Sequence, residues 1–448
     1  MTGRLRAPLL GSFGSFGSLG SSGARRRLLV VATAAGALSL AGCGALPGAS
    51  ADSGGTVTVM TWAPGASEDA DSLTMAGVTA TATTYAKWIN ERGGIGGHRL
   101  KVLTCDEEDS LAGAETCARE AVDRDVAAVV GSYSRHGQTF MAPLEAAGIP
   151  YIGGYGASDE EFQSFVSYPV NGGQAALVAG NGRQLAGSCE KVSLVRPDSI
   201  VGDGMATLLD AGLALGHQRA ATDVVAPESA TSYDSEATRA LDAAGDGCVT
   251  AVLGDRTGTF FDSFRRLPAN GNGDGDGDGG GDGTRISSVL GSVSQPLIDS
   301  TGGRNSPFEG AYVTGWYPVT SDARWAGMRE AIRKYAFEDD SIDPADSAVQ
   351  TTWIAYTVLK AVVEALGDGE VSASAVTSVL NHGLKVDTGG LTPELRWRYQ
   401  DMLGSAAYPR IVNGEVTFQV VREGRLVSQK KGFTDVTETL SDAKAVRG

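Results

Sequence analysis

The sequence predicts an α/β protein built as two doubly wound, parallel-sheet lobes, and three observations predict it. From Thr56 onward, short apolar runs alternate with segments of helical periodicity, and that alternation implies parallel strands joined by crossover helices. The pattern restarts after Tyr168-Pro169. Once the N-terminal leader is set aside, about 405 residues remain, more than one core organises, so domains of roughly 100 to 200 residues imply two.

The first series begins with a strand at Thr56–Met60. Met75, Val78, Ala82, Ala86 and Ile89 then recur at helical spacing until Gly93-Gly94 ends the helix. A strand at Arg99–Thr104, a helix at Leu111–Arg124, a strand at Val126–Val130, a helix at Gln138–Ala147 and a strand at Pro150–Ile152 follow. The second series has helices at Gln174–Leu185, Gly204–Leu215, Asp234–Ala243 and Thr259–Arg266. Strands at Lys191–Val195, Thr222–Val225 and Val249–Leu253 lie between them, and Ile286–Leu290 resumes the sheet. Residues 268–285 are rich in Gly and Asp, and Asp274, Asp276 and Asp278 imitate the first ligand positions of a calcium loop. Position 12 is Arg285 where a Glu is needed, so a solvated flexible loop is expected and no metal. Glu415–Val421, the turn Glu423-Gly424 and Arg425–Val427 read as a hairpin.

Residues 1–42 read as a leader. Arg4, Arg6 and Arg25 to Arg27 precede an uncharged run, Leu28–Leu40, with no acid before Asp52. That run is too short to span a bilayer, which takes roughly 20 residues. It closes on Leu40-Ala41-Gly42-Cys43-Gly44, which resembles a bacterial lipobox and makes Cys43 the expected lipid attachment site, with 43–55 as a tether. The alternative is an ordinary secretory peptide with an incidental Cys43, and the arginine run permits a twin-arginine route. Removing the leader takes away five Arg and no acid, leaving 32 Lys+Arg against 53 Asp+Glu, a net charge of −21. A surface this acidic, without a basic stripe, argues against nucleic acid as partner.

Four cysteines remain, Cys105, Cys117, Cys189 and Cys248. Export favours disulfides over zinc, since no pair has C-x2-C spacing and the four histidines are scattered. Four cysteines allow three connectivities. Cys105–Cys117 and Cys189–Cys248 are favoured, the second because each member precedes an apolar strand and neighbouring parallel strands begin level.

Several stretches carry a resemblance. Ile89-Asn90-Glu91-Arg92-Gly93-Gly94-Ile95-Gly96-Gly97-His98-Arg99-Leu100 is the best matched, followed by acidic Asp106 to Asp109. Val129 to Ser134, Ala147 to Ile152 and Thr351 to Tyr356 also match. Their order resembles the branched-chain amino acid (Leu/Ile/Val) receptor type of periplasmic binding protein, the type I solute-binding lipoproteins of ABC importers, over nearly all of residues 56–430. The resemblance implies two lobes joined by a three-stranded hinge, with crossings near Pro169–Gly172, Tyr317–Thr320 and Lys385–Gly390. Lobe one would then be 56–170 and 319–387, lobe two 171–318 and 388–432, and 433–448 a C-terminal tail.

Ligands of open α/β sheets bind at the carboxyl ends of strands. By resemblance, Gly131–Gly137 is a ligand loop of lobe one and places Ser134 and Arg135 where a carboxylate is held. The Arg departs from the family's usual hydroxyl or amide, and its fork suits an anion. Tyr155, Gly156, Ala157 and Ser158 belong to the next loop, with Tyr155 able to stack or donate. In lobe two Val201 stands where an aromatic lid residue is often found, and Asp255, Arg256 and Ser292 are the candidates. The position that often carries an acid for a ligand ammonium is Val293. Trp353 and Tyr356 are read as core.

The expected function is therefore capture of a small polar molecule, an amino acid or related carboxylate or amide. Delivery would be to an ABC importer permease and its ATPase by a monomeric protein, without a cofactor, anchored by lipid to the outer face of a bacterial cell membrane. No enzymatic role is expected: G-x-S-x-G, H-E-x-x-H and C-x-x-C are absent, and His98, His136, His217 and His382 carry no signature. A lipoprotein that senses a ligand for a signalling partner, and an exported hydrolase, are the competing classes.

Overall fold

Alternation of apolar runs with amphipathic segments produces one parallel and one mostly parallel sheet in the computed structural model, which describes residues 55–65, 74–267, 283–337, 339–405 and 407–442. The leader, Cys43 and the calcium-like aspartates lie outside the described residues.

The first sheet takes β1 (Thr56–Ala63), β2 (Arg99–Asp106), β3 (Val129–Val130), β4 (Tyr151–Ile152) and β5 (Ser167–Tyr168), in the spatial order β2-β1-β3-β4-β5. All four pairings are parallel. The connections are α1 (Ala76–Asn90), α2 (Leu111–Asp123), α3 (Gly137–Ala147) and the short α4 (Glu160–Gln163). β3 and β4 are buried throughout, as a strand covered by helices on both faces must be.

The second series opens with α5 (Gly173–Ala186), β6 (Val192–Pro197), α6 (Ile200–Leu215), β7 (Thr222–Ala226) and α7 (Asp234–Ala244). It continues through β8 (Cys248–Ala251), α8 (Thr257–Arg265), β9 (Arg285–Val289), α9 (Gln295–Ser300) and β10 (Tyr312–Gly315). Its parallel part repeats the first lobe's arrangement, the series' second strand at the edge and its first and third side by side. The chain then returns to the first lobe with α10 (Ala326–Tyr335), α11 (Ser347–Leu366) and α12 (Ala373–Asn381). It comes back to the second sheet as β11 (Glu415–Arg422) and β12 (Arg425–Ser428), the expected antiparallel hairpin, with β11 also antiparallel to β10. Beyond residue 432 the expected tail supplies β13 (Thr434–Asp435), which pairs with β11, and α13 (Thr437–Asp442).

Helix α11 lies against α1 and the ends of β3 and β4. Trp353 and Tyr356 meet Tyr85 of α1 at ring separations of 4.9 and 5.1 Å, so both are core. Close approach explains the glycines that follow the two strands. A methyl on Gly131 would lie 2.9 Å from the Cα of Thr352, and one on Gly153 2.5 Å from the Cβ of Ala355; both also have positive φ.

The chain passes between the sheets after Tyr168 and at Tyr317. The third passage is not at Lys385–Gly390. Around Lys385–Gly390 the chain instead turns back on the first lobe, with Val386 bridging Leu395. Trp397 then donates to the Pro169 carbonyl at 2.9 Å, and the Arg410 guanidinium donates twice to the Ser167 carbonyl of edge strand β5. Only after Arg410 does the chain cross, with Asn413 donating to Val170 at 3.0 Å. An exposed strand edge offers unpaired carbonyls, and Arg410 holds the chain there.

The cysteines pair as favoured, Cys105 with Cys117 and Cys189 with Cys248, separated by 12 and 59 residues of sequence. Cross-linking restricts the unfolded chain more for a longer loop, so removing the second bridge should cost about 4 kcal/mol and the first about 3 kcal/mol. Urea melts of the Cys189→Ala/Cys248→Ala and Cys105→Ala/Cys117→Ala variants measure this, and a larger loss for the Cys105→Ala/Cys117→Ala variant would refute the loop-length account.

Candidate functional site

In each lobe the first and third strands of the series are neighbours while their helices leave to opposite sides, which opens a crevice at their carboxyl ends. The loops after β3 and β4 belong to this end of lobe one, and those after β6, β8 and β9 to that of lobe two.

Of the predicted residues, Tyr155 is the one that the structure places between the lobes. Its ring lies 5.1 Å from that of Tyr133 in lobe one and 5.2 Å, edge to face, from Trp316 at the second crossing. Its hydroxyl shares a 3.1 Å hydrogen bond with Ser347 at the start of α11. Across the cleft, a methyl on Gly291 would come within 3.1 Å of that same oxygen.

Ser134 is turned the other way. It is fully buried, donating to Glu107 at 2.8 Å and accepting from the His136 amide at 3.1 Å. Arg135 is half-exposed and forks onto Asp109, through Nε at 3.0 Å and through Nη2. Gly156, Ala157 and Ser158 continue the loop after β4, and Glu161 occupies amides there. The Glu161 carboxylate accepts from the Gly156 amide at 3.0 Å, from the Ser158 amide at 3.1 Å and from the Ser158 hydroxyl at 3.3 Å.

In lobe two, Gly254–Arg256 is a single 3-10 turn after β8, with Arg256 exposed; the side chain of Asp255 lies outside the described residues. Ser292 is buried, and its amide closes a turn onto the Val289 carbonyl at 3.1 Å. Val293 is buried in the core of lobe two, so the acid position of the resemblance faces inward. Ile200 and Val201 begin α6 and are exposed, the lid position being helical here.

Two residues of this region escaped the sequence reading, Glu107 and Glu161. Each is buried, with its carboxyl pushed up to about 7 chiefly by burial, against the opposing effect of its hydrogen bonds. The signal for Glu161 was present: Ser158-x-x-Glu161 is the spacing of a capping box. The sequence places Tyr317 only at a crossing. Tyr317 proves to be its centre, its hydroxyl bonded to Asn171 at 3.1 Å and to Thr351 at 3.0 Å. Among the described residues no group of His, Cys, Asp and Glu is arranged to hold a metal ion, and no helix is long and apolar enough to cross a membrane.

The two raised carboxyls set a pH dependence. Both ionise near 7 in the folded chain against an ordinary value of 4.5, so the folded state holds protons that the unfolded state releases first. Their contribution to stability is complete below about pH 4.5 and is lost as pH rises through about 7. The urea midpoint should therefore fall over this interval, and Glu161→Gln should flatten the fall; an unchanged slope would show that the carboxyl is not buried as described.

Comparison with known proteins agrees with this fold. The family model described as periplasmic binding protein matches residues 66–408. Among curated proteins none matches. Solved structures of the same fold include an extracellular ligand-binding receptor from Verminephrobacter eiseniae (15% identity, TM-score 0.64, 83% of this chain and 99% of that one). A solute-binding protein of an ABC transporter from Rhodopseudomonas palustris, in complex with 3,4-dihydroxybenzoic acid, has 14% identity and TM-score 0.64 over 85% of this chain and 98% of its own. A branched-chain amino acid ABC transporter protein from Thermus thermophilus with bound valine has 16% identity and TM-score 0.63 over 85% and 97%. With two parallel-sheet lobes and a family match across most of its length, the chain belongs to the periplasmic binding protein family, in its type I form.

Proposed function

We propose that this protein is an extracytoplasmic solute-binding lipoprotein. It captures a small polar molecule, an amino acid or related carboxylate or amide, between its lobes and presents the closed form to the permease of an ABC importer. It acts as a monomer, without a cofactor and without catalysing a reaction. The observation that carries this reading is the approach of the lobe-two loop after β9 to lobe one, where Gly291 lies close to the Tyr155 hydroxyl. Valine and 3,4-dihydroxybenzoic acid occupy relatives of the same fold, both small molecules with a carboxylate. The cleft residues proposed to serve this ligand are Tyr155, Arg135, Arg256 and Ser292, with the Gly156–Ser158 turn as wall.

Closure supplies the mechanism. A ligand that touches both lobes favours the closed arrangement by its differential affinity for it, and part of its binding energy goes into that shift. A ligand touching one lobe does not shift the equilibrium. Arg256 is exposed at the start of α8 and can meet an anion directly, whereas Arg135 must first exchange Asp109 for it.

Binding to the folded state alone raises stability by mass action. A thermal-shift screen against amino acids, organic acids, amides and nucleosides should give a hit in one chemical class, with about one site per chain by calorimetry; no shift from any class would remove the solute-binding reading in favour of a signalling lipoprotein. Arg256→Ala should weaken a carboxylate ligand at least about tenfold more than its amide analogue, and equal weakening would remove the anionic contact. Cys43→Ala should move the protein from the membrane fraction to the soluble one; retention in the membrane would exclude Cys43 as the anchor.

A further inference from the structure

A buried acid lies behind the loop that carries Arg135. Glu107 opens the turn after β2, and in that turn Glu108 and Asp109 both hold positive φ, +55° and +46°, a conformation unfavourable for a residue with a side chain. The strained turn sends two acids to one loop of lobe one. Glu107 is fully buried, and its Oε2 accepts from the Ser134 hydroxyl at 2.8 Å; Asp109 takes the guanidinium of Arg135, the next residue.

The two buried carboxyls of lobe one are served differently. Glu161 has a donor on each oxygen, the Gly156 amide on Oε2 and the Ser158 amide on Oε1, so its ionised form is provided for. Glu107 is not served in this way. Its Oε1 is buried and has no hydrogen-bonding partner among the described residues. An ionised carboxylate with one oxygen bare and away from water is costly, so the surroundings favour the neutral acid. Burial pushes the Glu107 carboxyl up to about 7; Asp109 and Asp106 add to the rise, while the Ser134 hydroxyl and Arg135 oppose it. The other titratable groups on this side are Tyr151 of β4, which stands between Glu107 and Glu161, and His136, whose Nε2 lies 3.9 Å from Asp109.

We propose that Glu107 is a proton-binding site coupled to the solute site, so that an anionic solute which draws Arg135 away from Asp109 is held together with a proton on Glu107. This rests on the solute-binding reading and adds the regulation of that site. With Glu107 ionised, a carboxylate arriving at Arg135 joins Asp109 and Glu107, three anions around one guanidinium. With Glu107 neutral it joins Asp109 alone. A like charge at close range makes a carboxyl hold its proton more tightly, and by linkage the proton strengthens binding of the anion by the same factor. Affinity for a carboxylate is therefore greatest where Glu107 is already protonated in the free chain, below about 7, and falls as pH rises above that value. An uncharged solute does not feel the change.

The test is calorimetry on the purified full-length chain with acetate, benzoate and succinate, beside acetamide, benzamide and succinamide, in two buffers of different ionisation enthalpy. The same measurement is made with any carboxylate that the wider screen of amino acids, organic acids, amides and nucleosides returns. A carboxylate that binds should lose roughly three- to tenfold in affinity between about pH 6 and about pH 8 and should take up a fraction of a proton, while its amide changes little. Glu107→Gln, shown to be folded by its thermal transition, should abolish both effects, and His136→Gln should keep both. Carboxyl-carbon NMR of the unliganded chain, with the Glu107 signal assigned by its loss in Glu107→Gln, should show a midpoint near 7. Proton uptake that survives Glu107→Gln, uptake lost only in His136→Gln, or a Glu107 midpoint at the ordinary 4.5 overturns the proposal and leaves solute binding intact. A screen in which only solutes without a carboxylate bind does the same; if the wider screen is empty, both readings fall.

Discussion

Three passages of chain between two sheets meet at one buried side chain, and the rest of the molecule is arranged around that meeting. Tyr317 lies in the second passage. Its hydroxyl reaches Asn171 in the first passage and Thr351 on α11, and its carbonyl accepts from Thr417 and Gln419 on the strand that follows the third. Buried polar groups are costly unless paired, so these bonds constrain the three passages together. Trp316, next to Tyr317, is the inner wall of the cleft, so the cleft floor is built on the same constraint.

The network extends into lobe two. Gln419 lies on the same strand whose carbonyl accepts from Gln184 of α5. Gln184 in turn accepts from Thr314, and Asn181, one turn earlier on α5, bonds Ser287 and Thr250 across the sheet. A polar chain of this kind specifies one register of helix on sheet where an apolar face tolerates sliding. The same polar residues on a buried helix face weaken its apolar periodicity, and α5 was nevertheless legible because alanine, leucine and valine carry the remainder of that face.

How far the sequence could be read follows from what each feature depends on. Alternation and period depend on neighbours in the chain, so both sheets, the hairpin and both disulfides were legible. The third passage was not, because its place at Lys385–Gly390 was only what the resemblance implied and the decisive contact, Arg410 on the Ser167 carbonyl, joins residues 243 apart in sequence. The site divides in the same way. Tyr155 stands in the cleft because its loop follows β4 and its neighbour Gly153 is pressed against α11. Ser134, in an equally well-placed loop, turns inward because a buried acid from the preceding strand-end awaits it. Loop position is written in the chain order; side-chain direction is settled by a partner from another segment.

That distinction bears on how an acidic protein recognises a small molecule. With a net charge of −16 over the whole chain, the long-range field disfavours the approach of anions and is weakened by salt within about 10 Å at 0.1 M ionic strength. Recognition of an anion must therefore come from short-range contacts inside the cleft, where screening by water is reduced. In lobe one Arg135 is paired with Asp109, and the Gly156 and Ser158 amides with Glu161. Lobe two keeps Arg256 at its edge and a bare backbone at Gly291. On the proposed function, recognition of an anion falls first to Arg256 of lobe two, which is exposed, because Arg135 must give up Asp109 before it can meet one.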